Sequence, residues 1–296
     1  MEPDTVDKND FVFELKTLPK KTFEIRAIIP WSLVKENRQH ALSQIARETE
    51  VKGFRKGKAP LDLVEKSIKP SSLLDATLDH LLPNVYQQAI QKYGLKPVIE
   101  PKVRAVSTND NKDWEFIITA CEIPEIVLAD YKNGSKSIKP SENIWTPGMS
   151  QENQKKPTPE EEKNQKVNNL LKWLIENSKF EISELLVENE RARKLSRLLE
   201  SLEKLGLSLE QYLTNTGKTS DQLIAEYNSE AENELRLELI IQKLADAENI
   251  TVDPAEVDKA IAEAKTADEK TALEKQRYVL SSLIRRQKTL DFLANL

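Results

Sequence analysis

The stretch Gly53-Phe54-Arg55-Lys56-Gly57-Lys58-Ala59-Pro60 is the most specific part of this sequence. It places three cations and one aromatic side chain around two glycines, and no acidic residue interrupts the run from Lys52 to Lys58. The glycines permit sharp turns that present the neighbouring side chains outward. Phosphate backbones attract such a cluster through counterion release, and Phe54 adds an apolar or stacking contact. The stretch therefore predicts a docking loop for a large anionic surface.

Two other interpretations of this loop have to be weighed. A basic run between glycines is often only a solvated turn, and the pattern alone does not exclude that. A phosphate-binding P-loop needs four residues between its glycines and a Ser or Thr after the lysine. Here three residues separate Gly53 from Gly57, and Ala59 follows Lys58, so the P-loop is excluded.

The segments around the loop predict a small α+β domain. Residues 11–15 and 22–29 alternate with period two around Pro19-Lys20-Lys21, which is typical of a β-hairpin. Ser32 is a suitable cap for a helix that reaches about Thr49, and further helices are expected at 61–67 and 72–93, with Pro83 kinking the latter and Gly94 ending it. Strands at 98–106 and 114–123 complete a sheet with helices on one side.

The string from Gly53 to Pro60 resembles the signature of the trigger factor family of bacterial ribosome-associated chaperones. In that family the loop joins two helices of the N-terminal ribosome-binding domain and docks beside the exit tunnel, and the predicted element order agrees over residues 10–130. The resemblance implies an apolar contact for Phe54, charge-assisted contacts for Arg55 and Lys56, and a supporting charge at Lys58. The implied ribosome-binding residues are Gly53, Phe54, Arg55, Lys56, Gly57, Lys58, Ala59 and Pro60.

Residues 133–158 have the composition of a linker, since glycines and prolines punctuate a Ser/Asn/Lys/Gln-rich stretch that also holds Trp145. Most trigger factors carry an FKBP-like prolyl isomerase domain at this place. A folded domain needs at least about 50 residues, which this stretch does not provide. We therefore expect that the isomerase domain is absent, with domains at 1–132 and 159–296.

Helix signals dominate from residue 159 to the end. Helices are expected at 159–177, 184–205, 209–214, 220–248, 254–265 and 268–294. Capping-box spacings begin at Thr158, Ser208, Thr219 and Asp253, and the apolar positions recur at three and four without a strict heptad. A helical bundle is predicted, and it resembles the all-α C-terminal chaperone domain of trigger factor and the related SurA-like peptide-binding domain. The fragments that carry this resemblance include Phe180–Ser183, Leu207–Leu213 and Lys288–Leu293.

Charge and composition narrow the class of protein. The net charge is −5, but residues 1–132 carry 20 basic and 20 acidic residues, so the acidic excess lies in the second half and the positive charge of the loop is local. Cys121 is alone, which excludes an intrachain disulfide and favours a buried structural thiol in a reducing compartment. His40 and His80 make a weak case for zinc, so neither metal nor cofactor is expected. No apolar run spans a membrane and the N-terminus is not a secretory signal, which predicts a cytoplasmic protein without a membrane partner.

The function that the resemblance to trigger factor implies is that of an ATP-independent chaperone held at the ribosome. Its expected partners are a protein and rRNA at the exit tunnel, nascent or unfolded polypeptides and, as an option, a second copy in a weak homodimer. Two alternatives stay open: a ribosome assembly or storage factor without client activity, and a divergent peptidyl-prolyl isomerase. The acidic helical half carries no RNA-binding motif, which disfavours extensive RNA binding.

Overall fold

The computed structural model of the chain describes residues 10–137, 159–264 and 266–296. These residues fall into two units. The first runs to Pro124 and includes Ser183–Leu186, whereas the second comprises Glu125–Ile182 and Val187–Leu296. The units therefore separate eight residues before the domain boundary predicted at residue 132.

A four-stranded antiparallel sheet organises the first unit, in the order β1-β2-β4-β3. The strands are β1 (Val12–Leu18), β2 (Thr22–Ile29), β3 (Lys102–Ser107) and β4 (Trp114–Cys121). The predicted hairpin of β1 and β2 is confirmed. The strand expected from residue 98 starts only at Lys102, because Pro101 directly before it has no N–H to donate to a ladder.

Three helices lie between β2 and β3, as predicted: α1 (Trp31–Glu48), α2 (Leu61–Ser67) and α3 (Pro70–Tyr93). The expected cap at Ser32 is wrong, since α1 already begins at Trp31 and Pro30 occupies the N-cap position. Pro70 stands in the first turn of α3, where its missing N–H costs nothing, so this helix starts two residues before the predicted Ser72. The helix runs through Pro83 and ends at Gly94, whose φ is 64°.

The first unit has two separate clusters of buried apolar side chains. The larger one lies between the sheet and α3 and contains residues of β1, β2 and β4, among them Phe13, Ile25 and Phe116. The smaller one joins α1, α2 and the start of α3. Its buried members are Ala41, Leu42, Ala46, Val64 and Leu73. The smaller cluster therefore packs α1, α2 and the start of α3 together independently of the sheet.

The regular elements described in the second unit are helices, apart from an isolated β-bridge between Val127 and Lys179. Its helices are α4 (Tyr131–Ser137), α5 (Pro159–Asn177), α6 (Glu184–Lys204), α7 (Leu209–Thr216), α8 (Ser220–Ala247), α9 (Pro254–Ala262), α10 (Ala267–Lys275) and α11 (Arg277–Ala294). A core of α5, α8 and α11 residues holds it together, including Leu174, Ile240 and Leu293. This agrees with the predicted α+β unit followed by a helical one.

Details of the second half both confirm and correct the sequence analysis. The capping boxes at Ser208, Thr219 and Asp253 are formed, whereas the one predicted at Thr158 lies outside the described residues. The single helix expected over 268–294 is two helices, because Gln276 leaves the helical conformation with φ −111° and ψ 25°. α4 occupies the start of the predicted linker, and residues 138–158, which include Trp145, lie outside the description.

Cys121 is buried at the end of β4, and burial raises the pKa of its thiol, as expected for a structural cysteine. His40 and His80 lie on α1 and α3, and His80 Nε2 is 2.9 Å from Gln44 Oε1. Within the described ranges, no three His, Cys, Asp or Glu side chains cluster closely enough to hold a metal ion. The helices in those ranges also contain no segment that is long and apolar enough to span a bilayer.

Candidate docking loop

The loop between α1 and α2 is anchored at both ends in the smaller core. Val51 and Ala59 pack against that core, whereas every residue from Lys52 to Lys58 is exposed. Pro60 then takes the N-cap position of α2 with φ −57° and ψ 142°. The anchors fix where the loop leaves and re-enters the fold, so its exposed part projects from a supported base.

Two consecutive turns give the exposed part its shape. The Phe54 amide donates to the Val51 carbonyl at 2.9 Å, and the Lys58 amide donates to the Arg55 carbonyl at 2.9 Å. The third residues of these turns are Gly53 and Gly57, with φ of 90° and 77°. A type II turn requires a positive φ at this position and favours glycine there. The two glycines, four residues apart, therefore produce two successive turns of the same type.

The two glycines differ in their surroundings. A Cβ added to Gly57 would lie 3.2 Å from the backbone oxygen of Arg47 on α1, whereas a Cβ on Gly53 would meet nothing within 4 Å. Gly57 is therefore needed both for its φ and for the close approach of the loop to α1. Gly53 is needed for its φ alone.

The side chains of the loop have almost no partners within the fold. Phe54 is 41% exposed, which is unusual for a phenylalanine. Lys52, Arg55, Lys56 and Lys58 form no ion pair or side-chain hydrogen bond with any residue in the described ranges. Glu65, an acidic residue of the following helix α2, is engaged by Arg38 at 3.0 Å instead. The loop thus presents four uncompensated positive charges and one aromatic ring to solvent.

All eight residues predicted for the site lie in one continuous segment, and the structure adds Lys52 to them. Lys52 precedes Gly53 in the first turn as Lys56 precedes Gly57 in the second. In the sequence, the Lys-Gly pair at 52–53 that recurs at 56–57 indicates that Lys52 belongs to the site. Ala59 differs from its neighbours, because its side chain faces the smaller core and serves as an anchor.

A concave site lies on the other unit, between α8 and α11. This cavity of about 210 Å³ is lined by Tyr278 and by charged residues of both helices. Those charges compensate each other, since Arg285 pairs with Asp246 at 2.6 Å and Arg286 pairs with Glu238 at 3.1 Å. The two arginines that line the cavity are thus both paired, unlike the cations of the loop.

Comparison with known families decides where this architecture belongs. A family model described as bacterial trigger factor protein matches residues 12–146, and a model of the bacterial trigger factor protein C-terminus matches residues 150–295. The chain belongs to the trigger factor family. The two matches leave only residues 147–149 between them.

Individual trigger factors are similar to this chain over a limited stretch. The relatives include trigger factors of Nocardioides sp. (strain ATCC BAA-499 / JS614), 29% identical over 117 residues, and of Listeria innocua serovar 6a, 36% identical over 113 residues. A trigger factor of Streptococcus pneumoniae (strain Hungary19A-6) is 31% identical over 105 residues. These alignments cover 36% to 40% of this chain and 25% to 26% of the relatives. The chain thus matches about a quarter of the length of these trigger factors.

The fold is similar to that of a solved trigger factor chaperone over almost all of the chain. That structure was reported for promiscuous substrate recognition in folding and assembly, and it matches with a TM-score of 0.62. The match covers 95% of this chain and 99% of the other, at 15% identity. At this identity the likeness establishes the trigger factor fold, and the roles of single residues have to be argued from this chain itself.

Proposed function

We propose that this protein is a ribosome-docked chaperone that binds near the exit tunnel through the loop Gly53–Pro60. The observation that carries the proposal is the set of four exposed loop cations that have no acidic partner in the described parts of the chain. A fold that leaves such charges uncompensated breaks no internal ion pair when they meet an anionic surface, and it gains counterion release there. The family to which the chain belongs supports the choice of the ribosome as that surface.

Each loop residue has a proposed role. Arg55 and Lys56 donate charge-assisted hydrogen bonds to carboxylates of a ribosomal protein or to rRNA phosphates, with Lys52 and Lys58 adding to the local field. Phe54 supplies the apolar contact, because its ring is already exposed and loses only water on docking. Gly53 and Gly57 hold the backbone in the double turn, and Pro60 sets the start of α2.

The docking claim is tested by co-sedimentation with ribosomes. The variant Phe54→Ala/Arg55→Ala/Lys56→Ala should no longer co-sediment, while its thermal unfolding stays unchanged, because none of the three side chains packs against a core of the described residues. A charge-matched control is Lys35→Ala/Lys66→Ala, which removes two exposed cations from α1 and α2. Co-sedimentation of the triple variant that equals wild type and resists salt would contradict the docking claim.

Shielding of nascent or unfolded chains is the second part of the proposed function. Exposed apolar side chains surround the junction of α6 and α7, among them Leu205, Leu207 and Leu209. Apolar groups scattered on polar helices bind varied clients weakly, so that clients leave without a nucleotide cycle. We expect the protein to suppress aggregation of an unfolded protein, and the variant Leu205→Ser/Leu207→Ser/Leu209→Ser to do so less well. The matched control is Glu203→Ser/Lys204→Ser.

The same assays separate the alternative functions. An assembly or storage factor would bind ribosomes and fail to suppress aggregation. A divergent isomerase would accelerate prolyl-peptide isomerisation, which we do not expect, because the two family matches leave three residues for an additional domain. Cytoplasmic location follows from the proposed partner and is part of this proposal.

A further inference from the structure

Strand β3 forms one edge of the sheet, and its core-facing side is left uncovered. Val103 lies opposite Ile118, and Ala105 lies opposite Phe116. Residues directly opposite each other on antiparallel strands point to the same face, so these two belong to the face that carries the larger core. Ile118 and Phe116 are buried there, yet Val103 is 39% exposed and Ala105 is exposed. The larger core contains residues of β1, β2 and β4 and none of β3.

The backbone of β3 also has an open side. Among the described strands β3 pairs with β4 alone, and the backbone groups from Val103 to Ser107 have no other backbone partner in the described ranges. Six residues at about 3.4 Å each give an edge of about 20 Å, long enough for a strand of five or six residues. A partner that adds itself here must be extended, because only an extended backbone can continue the ladder.

The charges of the edge select among extended partners. Lys102 and Arg104 lie on the other face of β3, and no acidic residue occurs between residues 101 and 107. Arg104 makes no ion pair or side-chain hydrogen bond with the described part of the chain. A second copy of β3 would bring its cations beside these, and like charges across a strand pair are destabilising. An acidic partner reverses that repulsion.

We propose that β3 is a docking edge for an extended polypeptide segment whose residues alternate between apolar and acidic. Its apolar side chains lie beside Val103 and Ala105, a carboxylate faces Arg104, and its backbone extends the sheet by a fifth strand. Edge cations commonly protect a sheet against non-specific pairing. Here the positive charge of the edge also favours pairing with an acidic strand and disfavours pairing with a basic one. The inference stands apart from ribosome docking, since the basic loop is not part of this edge.

The test uses two capped, fluorescein-labelled octapeptides, one alternating valine and glutamate and the other alternating valine and lysine. Fluorescence anisotropy should show the glutamate peptide binding wild type about three- to ten-fold more tightly, the effect of one or two cross-strand charge pairs. Arg104→Glu should invert this preference. Lys35→Glu, an exposed position on α1, makes the same change in net charge and should leave the preference unaltered.

Hydrogen exchange locates the binding. The glutamate peptide should slow amide exchange within residues 102–107 and leave that of β1, the opposite edge, unaffected. Equal affinity for both peptides, a preference that survives Arg104→Glu, or protection confined to the helical unit would overturn the proposal. Binding of an RNA oligonucleotide, lost in Arg104→Glu without peptide binding, would also overturn it. Ribosome co-sedimentation of Arg104→Glu should equal wild type, so the two proposals fail separately.

Discussion

The basic loop and helix α11 carry the same number of cations and use them differently. On α11, Arg277, Arg285, Arg286 and Lys288 each contact an acidic residue of α8 or α9. The four cations between Lys52 and Lys58 contact none in the described ranges. On the helix, positive charge joins neighbouring elements, whereas on the loop it remains available to a partner. The absence of compensation, and not the number of charges, therefore distinguishes the candidate site.

The largest effect is expected when equal charge is removed from the two regions. Arg55→Ala/Lys56→Ala should weaken ribosome binding by more than about 100-fold, because two charge-assisted contacts of about 1.5–3 kcal/mol each are lost. Arg285→Ala/Arg286→Ala should leave ribosome binding unchanged and lower the free energy of unfolding, since their acidic partners lose their counter-charges. Equilibrium binding to purified ribosomes and urea unfolding measure the two effects. Equal losses of ribosome affinity in both variants would remove the distinction.

The second expected difference is in the salt dependence of ribosome affinity, which should change in the loop variant and not in the α11 variant. If Arg55 and Lys56 contact phosphates, each contributes about 0.7–0.9 to the slope of log affinity against log salt concentration. The double loop variant should therefore have a slope smaller by about 1.5 than wild type. The α11 variant should keep the wild-type slope. An unchanged slope in the loop variant, together with weaker binding, would indicate that these side chains do not contact phosphates.

Backbone shape is the third point of difference, because the loop depends on two glycines with positive φ, whereas α11 is a regular helix. Gly53→Ala should cost about 1 kcal/mol of unfolding free energy from the positive φ alone. Gly57→Ala should cost about 2 kcal/mol, since its Cβ would also press on the Arg47 carbonyl at 3.2 Å. Chemical denaturation of both variants gives the comparison. A Gly53 variant less stable than the Gly57 variant would show that the close approach to α1 has no energetic weight.

The smallest effect concerns the pH dependence of an ion pair on the compensated side. Lys288 Nζ lies 2.9 Å from Glu256 Oε2, and this contact, with the Asp253 amide, lowers the pKa of Glu256 below its usual 4.5. A lowered folded-state pKa means stability that is present above pH 4.5 and lost as pH falls through the lower value. Glu256→Gln keeps the capping geometry and should be less stable at neutral pH.

That stability difference should shrink as the pH falls below 4.5 and vanish once it is below the lowered pKa of Glu256, where the side chain is protonated in the wild type as well. Thermal unfolding across pH 3–7 measures it. Glu274→Gln is the control, because Glu274 is exposed and has no ion pair among the described residues. A difference between Glu256→Gln and wild type that persists unchanged at low pH would assign the effect to packing rather than charge.

Local chemistry explains which parts of the fold were predictable from sequence. The hairpin, the capping boxes and the glycine that ends α3 rest on interactions between residues close in the chain, and they were found. The start of α3 at Pro70 and the late start of β3 at Lys102 had proline signals, which could have been used. The break at Gln276 had none, because good helix formers surround it.

The candidate site was predictable as a segment but not as an arrangement. Its composition and the spacing of its glycines predicted an exposed basic turn. Whether its cations would find acidic partners depends on which carboxylates the fold brings near, such as Glu65, which Arg38 engages from α1. The uncovered face of β3 escaped prediction for the same reason, since the alternation of Val103 and Arg104 does not reveal how far the helices extend over the sheet.

Site-specific photocrosslinking tests the central claim most directly. A photoreactive residue at Lys52, beside the three proposed contact residues, is compared with one at Tyr278 on α11, which is 86% exposed. With ribosomes, the probe at position 52 should form adducts with a protein or rRNA of the exit-tunnel region, and the probe at position 278 should form none with these components. Ribosomal adducts at position 278 and none at position 52 would contradict the assignment of the loop as the docking site.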